Sequence, residues 1–380
     1  MLLDGIRIMS LAEQYPGPLA SMVLADLGAD IVMVERPAGG DPARARPLFE
    51  GLNRNKRSCC IDLRHPDGQA AALRLASQSH VVIEGFRPGV ADRLGVGYEA
   101  VRKANPTVLY ARVTGFGETG QYAQRPGHDL SFQAITGMLS RDASGVPRMP
   151  TYPLADYITG LFAAIGLVAG LREVERSGEA LSFDLAMLDA LIAINGPSFT
   201  ALLNGHAPVS HPPLDPGYGV FRASDGRYVA LSITGESHLW TAASTALGLA
   251  DLAQLTTAER IERREEVIEA LRDRIGSLTW AELESLLASC DGAFAEVNTS
   301  QTASEDAVVR SRDMFVQYGT GADRLTAVSQ PLRFAGFEAP RSRPCPVLGA
   351  DTDAVLSEIG FAPHEVQAMR EAGAAGPARG

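Results

Sequence analysis

The sequence predicts an α/β protein of two lobes: a large one built on a mostly parallel sheet with helices on both faces, and a smaller α+β one. Three observations predict it. β-Branched runs alternate with helix-period runs through the first third of the chain, the pattern of strands joined by crossover helices. Two long apolar helical runs follow. Beyond a proline-rich stretch, a hairpin signal gives way to further helices.

In chain order, strands are predicted at Ile6–Leu11, Ile31–Glu35, Ser58–Asp62, Val81–Glu84 and Val108–Val113, with helices such as Pro18–Leu27 and Pro66–Ser77 between them. Sheets of this kind take ligands beyond the carboxyl ends of their strands, where strand order reverses. The apolar helices are read at Leu154–Glu175 and Ala186–Asn204. In the first, Ile158, Leu161, Phe162, Ile165, Val168 and Leu171 keep helical spacing while Ala163, Ala164, Gly166, Ala169 and Gly170 make the other side small, so both sides are expected to be buried. Residues 1–204 are thus assigned to the large lobe and 205–217, rich in proline, to a linker. The small lobe, residues 218–318, opens with strands Tyr218–Arg222 and Tyr228–Ser232 joined through Ser224-Asp225-Gly226, followed by helices near Ser237–Leu247, Ala258–Gly276 and Thr279–Ser289. The Ala- and Gly-rich tail, Glu371–Gly380, is expected to be poorly ordered.

Bulk composition narrows the functions. At 380 residues, the chain exceeds one ordinary core, and 46% hydrophobic with 21% charged residues is a globular balance. A net charge of -11, from 34 basic against 45 acidic side chains, argues against nucleic acid and anionic membrane as partners. Cys59, Cys60, Cys290 and Cys345 form no CxxC and no metal spacing, so no metal is expected and reduced thiols in the cytosol are the simplest reading. Met1–Leu11 has no signal-peptide pattern, and the uncharged stretch Tyr157–Leu171 falls short of the roughly 20 residues that span a bilayer, which again gives a cytoplasmic protein.

Several local signals carry chemistry. Gly115-Phe116-Gly117-Glu118-Thr119-Gly120 fits GxGxxG after a strand, but no helix opens behind it, so NAD is not expected. Basic residues gather at the ends of early strands: Arg36, then Arg54, Lys56 and Arg57, then Arg87. Singly they read as solvated charge. In an acidic chain, clusters at one sheet edge suit a polyanionic cofactor with phosphates, a nucleotide or CoA. His128 and Asp129 open a helical segment, Leu130–Leu139, in which Asp129 serves as cap and His128 is either structural or catalytic. Asp156 starts the most apolar helix, where it either caps or acts as a nucleophile that the helix N-terminus keeps ionised.

A set of motifs in order decides between these readings: PGPLASMVLADLGADIVMVE (16–35), GGDPAR (39–44), LNRNKRS (52–58), GFRPGVADRLGVGYE (85–99), GFGETG with RPGHD (115–129), PLADYITG (153–160), DGRYVAL (225–231) and LGADTDAVLSEIG (348–360). The chain resembles the family III CoA-transferases of the CaiB/BaiF type, which include formyl-CoA transferase-like enzymes and the related α-methylacyl-CoA racemases. The resemblance implies a Rossmann-like large domain to which residues 319–380 return, and a homodimer of two interlocked chains. It implies coenzyme A as substrate, held by Arg36, Lys56, Arg57 and Arg87, with a carboxylic acid as acceptor. Asp156 matches the catalytic aspartate, which in transferases forms an aspartyl anhydride and then an aspartyl-CoA thioester. In racemases, His128 and Asp156 would be an acid–base pair assisted by Glu236. A non-catalytic CoA-binding relative would share the fold. Met33 stands where a lysine is usual and Gly85 where relatives often carry asparagine.

Overall fold

The structure, a computed structural model, describes residues 1–142, 144–207, 209, 214–290, 292–318, 324–336 and 343–377. Pro212 and Pro213 of the expected linker, and residues 319–323 and 337–342 of the C-terminal segment, lie outside the described residues. The chain forms two units, Met1–Phe199 with Asp313–Gly380, and Thr200–Arg312.

The first unit is organised by six parallel strands: β1 (Arg7–Ser10), β2 (Asp30–Glu35), β3 (Lys56–Cys60), β4 (Val81–Glu84), β5 (Leu109–Thr114) and β6 (Leu181–Ala186). Their order is β3-β2-β1-β4-β5-β6, so the direction of winding reverses between β1 and β4. Alternate residues feed opposite faces. Met9, Val32, Val82 and Tyr110 pack with Leu75 of the helix Pro66–Ser77 and with Val355 and Met369 near the C-terminus. Ile8, Ile31, Ile83 and Leu109 pack on Leu24 of the helix Pro16–Asp26 and on Ala163 and Leu167 of the helix Leu154–Ser177.

Three expectations change. The helix Leu154–Ser177 buries one side rather than two: its small residues Thr159, Gly160, Ala163, Ala164 and Gly170 face inward, while Leu161, Phe162, Ile165 and Val168 are exposed. The small side permits a close approach, since a Cβ on Gly160 would lie 2.7 Å from Leu19. The second apolar run is not one helix. Its start belongs to β6, and helices Met187–Ile194 and Gly196–Leu203 meet at Asn195, just ahead of Gly196-Pro197, where proline lacks the N–H a continuing helix needs. The described part of the tail, Glu371–Pro377, is ordered. Asp62 N–H donates to Ala374 O (2.9 Å) and Gly376 N–H to Cys60 O (3.0 Å), and Ala374 and Ala375 are buried against the outermost strand. Small side chains let the backbone cover that edge.

In the C-terminal segment, β10 (Phe315–Tyr318) pairs antiparallel with β11 (Leu325–Val328); further along, the side chains of Asp351 and Thr352 accept the N–H groups of Ser58 (2.8 Å) and Cys60 (3.0 Å).

The second unit carries an antiparallel sheet of β7 (Tyr218–Arg222), β8 (Tyr228–Ser232) and β9 (Phe294–Glu296). Val229, Leu231 and Ile233 pack with Trp240, Leu271 and Leu283 from its helices. The guanidinium of Arg260, fully buried, pairs with Asp215 and lies over the Trp240 ring, so the charge is both neutralised and stacked.

Candidate active site

The site forms where the winding reverses, beyond the carboxyl ends of β1, β4 and β5, as the parallel sheet requires. The turn after β1 is tight: Gln14 takes a left-handed φ of 69°, and its N–H donates to Asp41 Oδ2 (3.0 Å). Gly17 closes it, because a Cβ there would meet that of Ala12 at 2.2 Å. Beside this turn come Gly85–Pro88 after β4 and the long loop after β5 that ends at His128. Together they enclose a cavity of about 660 Å³, lined among others by Tyr15, Phe86, Arg87, Arg125, His128 and Asp156.

Asp156 is the third residue of its helix, and the capping is done by another residue. Asp129 Oδ1 accepts the N–H of Ala155 (2.7 Å), and Oδ2 accepts from Gln133 Nε2 (2.6 Å), which also reaches Tyr152 O (3.1 Å). Asp129 therefore caps the helix of Asp156 and not its own, a correction that frees Asp156 from the capping role. No hydrogen bond to the Asp156 carboxylate is present among the described residues. Nor does the helix N-terminus hold it ionised as expected: burial, reinforced by the charge of Asp129, pushes it up to about 7. Tyr15 and Tyr157 meet edge to face at 5.3 Å beside it. Burial and its hydrogen bond to Tyr157 push Tyr15 up, so it stays a neutral hydroxyl.

His128 precedes the helix Asp129–Ile135, gives it no side-chain cap, and is exposed on the cavity. Glu236 belongs to the second unit. It is solvent-exposed, precedes the helix Ser237–Ala246, and accepts the Thr234 N–H (2.8 Å), which holds its carboxyl below the usual range. It is not among the residues lining the Asp156 cavity.

The basic residues do not share one edge. Arg36 and Arg87 follow β2 and β4, on the carboxyl side. Arg54, Lys56 and Arg57 stand at or before the start of β3, on the amino side, because all six strands run the same way. There Arg54 pairs with Asp26, and Arg57 with Asp30 (2.6 Å) and Glu358 (2.7 Å). Lys56 is buried, its Nζ donating to Pro18 O (2.8 Å) and Asn53 Oδ1 (2.7 Å), and burial pushes it down to about 7. Arg36 donates to Gly40 O (2.8 Å), lies 3.6 Å from Glu13, and opens with Arg64 on a second cavity of about 660 Å³. Glu13 and Phe86 line both cavities. Arg64 was not singled out from sequence; its place just after β3 was the available signal. Met33 is buried against Ala43 and Phe49.

The Gly115–Gly120 loop carries no helix start; Glu118 N–H donates to Asp184 Oδ2 (2.8 Å) and Gly117 N–H to Thr114 Oγ1 (3.0 Å), so neighbouring side chains already occupy these amides. Among the described residues, no group of three His, Cys, Asp or Glu side chains is arranged to hold a metal ion.

Residues 3–352 match the model of CoA-transferase family III. The chain belongs to that family. It is 31% identical to the succinate–glutarate CoA-transferase of Agrobacterium fabrum, across 94% of this chain and 95% of the relative. It is 30% identical to the alpha-methylacyl-CoA racemase of Homo sapiens, across 96% and 95%. Among solved structures, a CaiB/BaiF family protein from Brucella suis superposes with a TM-score of 0.84 at 28% identity, covering 94% of this chain and 99% of that one. Members of family III act on CoA compounds, so the assignment makes the chain an enzyme of the CoA-transferase kind, within a family that also holds a racemase.

Proposed function

We propose that the chain moves coenzyme A from an acyl-CoA to a carboxylic acid through the Asp156 carboxylate. The observation that carries this reading is a carboxylate on the switch-point cavity with no hydrogen bond among the described residues, on a helix capped by a different side chain. A group titrating near 7 is a stronger nucleophile than an ordinary carboxylate, and about half of it is ionised at neutral pH. Asp156 attacks the thioester carbonyl, expelling CoA thiolate and forming a mixed anhydride. The thiolate attacks the aspartyl carbonyl, releasing the first acid and leaving an aspartyl-CoA thioester. The acceptor carboxylate then attacks that thioester, and the thiolate returns to the new acyl carbonyl, so Asp156 is regenerated and no net proton is exchanged.

The nucleotide end of CoA fits the second cavity beside Arg36 and Arg64, with pantetheine passing Phe86, which is common to both cavities, and Arg87 next to it. Lys56 and Arg57 are bound up in holding the first helix and the amino edge of the sheet, and support CoA binding only through that framework. The exposed apolar side of the Asp156 helix, formed by Leu161, Phe162, Ile165 and Val168, supports a homodimer, interlocked in the way the family resemblance implies.

An Asp156→Ala protein is expected to bind CoA and transfer nothing; turnover at the wild-type rate would end the proposal. The racemase reading is supported by His128 and Asp156 lining one cavity. It predicts that a 2-methylacyl-CoA takes up solvent deuterium at its α-carbon with no acceptor acid present. Absence of both activities would leave a CoA-binding relative.

A further inference from the structure

Among the described residues, three buried side-chain atoms that can hydrogen-bond have no partner: Thr159 Oγ1, Ser244 Oγ and Gln330 Nε2. Ser244 belongs to the second unit and Gln330 follows β11, but Thr159 stands one helical turn after Asp156, on the buried side of the same helix. A threonine inside a helix ordinarily turns its hydroxyl back onto a carbonyl three or four residues earlier, as Thr245 does on Thr241 O (2.7 Å). Thr159 makes no such bond. Residues three apart on a helix have Cβ atoms about 5–6 Å apart, and helical side chains lean toward the N-terminus, which carries this hydroxyl toward Asp156. A turn about χ1 and the reach of a carboxylate close that span. The Asp156 carboxylate is itself without a hydrogen bond among the described residues, whereas the oxygens of Asp129 already accept from Ala155 and Gln133.

We infer that Thr159 is a positioning residue for Asp156: its hydroxyl donates to the carboxylate oxygen on the helix side, leaving the oxygen on the cavity side to attack the thioester. The catalytic consequence rests on the transferase reading. The cavity-side oxygen forms the bond to the acyl carbon, and the helix-side oxygen remains as the aspartyl carbonyl. When CoA sulfur attacks the aspartyl carbon, the carbonyl electron pair moves onto that helix-side oxygen, and its return expels the acyl carboxylate. Negative charge thus develops there twice, on the free carboxylate and on this oxyanion, and a donor already in place stabilises both.

Other charged or titratable groups face Asp156: Asp129, Tyr15 and Glu13 of the turn after β1, and Tyr157 of its own helix. His128 and the guanidinium groups of Arg46, Arg87 and Arg125 share its cavity. A substitution at Thr159 alters none of them, so a shift in the titration of Asp156 reports on the hydroxyl.

The test compares wild type with Thr159→Val, which keeps the shape and loses the hydroxyl, and Thr159→Ser, which keeps the hydroxyl. Losing a hydrogen bond to the charged form favours the protonated one. In Thr159→Val the acid limb of kcat/KM for the acyl-CoA is therefore expected about one pH unit higher, with kcat about 10-fold lower above the limb and KM within about twofold of wild type. Thr159→Ser is expected to hold the limb at its wild-type position. The same shift is expected in a carbon-13 NMR titration of the Asp156 carboxyl, in protein labelled at aspartate and with the resonance assigned by its loss in Asp156→Asn. Equal Asp156 midpoints in wild type and a folded Thr159→Val protein overturn the inference while leaving transfer intact, as does a Thr159→Ser protein that titrates like Thr159→Val. A shifted midpoint in a protein that transfers CoA to no acid keeps the bond between Thr159 and Asp156 and removes the transferase reading.

Discussion

Asp156 stands in a helix whose first turn is already capped by Asp129, and burial beside that second carboxylate pushes it up to about 7. Activity that needs the ionised nucleophile should therefore rise with pH and level off above about 7, measured as kcat/KM for the acyl-CoA. Asp129→Asn keeps an oxygen for the Ala155 N–H and removes the charge, so the acid limb of that profile should move to lower pH. Stability follows the opposite direction. The folded chain holds the Asp156 proton more tightly than the unfolded chain, so this contribution is full below pH 3.8 and lost as pH rises through about 7. Asp156→Asn should accordingly melt higher than wild type by about 2–4 °C at pH 8, with the gap closing near pH 4, in thermal scans. The sequence made Asp156 and His128 legible, because motif and helix start coincide there. It did not make legible which aspartate caps, since residues 129 and 156 are brought together only by tertiary packing. Nor did it reveal that Lys56 and Arg57 are internal partners: a basic run reads the same whether it faces ligand or Asp30.

The helix Leu154–Ser177 ties this chemistry to the sheet. Its small face approaches the first helix so closely that Gly160 has no room for a Cβ beside Leu19. Gly160→Val should lower the melting temperature by an amount equivalent to about 1–3 kcal/mol and impair kcat through displacement of Asp156, read by calorimetry and steady-state assay. Most strands and the hairpin were legible because period-two runs are bounded by turn residues. β6 is not among the strands predicted from the sequence, and only its last residue, Ala186, falls in a predicted helix. Its alternation of Leu181, Phe183 and Leu185 with Ser182 and Asp184 is an edge-strand pattern, and Asp184 serves the neighbouring loop. The long helix expected after it stops where Pro197 cannot continue the ladder.

For the molecule as a whole, the order β3-β2-β1-β4-β5-β6 puts three strand ends around one cavity and leaves a broad apolar helix face uncovered. Ile165 and Val168 are 63% and 46% exposed, which an isolated soluble chain rarely tolerates over a continuous patch. Light scattering should give twice the mass of one chain, and Ile165→Glu should shift it toward one; a monomeric wild type would contradict the dimer. The parallel sheet was legible from alternation alone, while the assembly entered only with the resemblance. The account as a whole depends on a covalent link between Asp156 and CoA, and mass spectrometry tests it most directly. Incubation with an acyl-CoA and hydroxylamine should convert Asp156, and no other carboxylate, to its hydroxamate. An unmodified Asp156 in enzyme that is turning over would contradict the account.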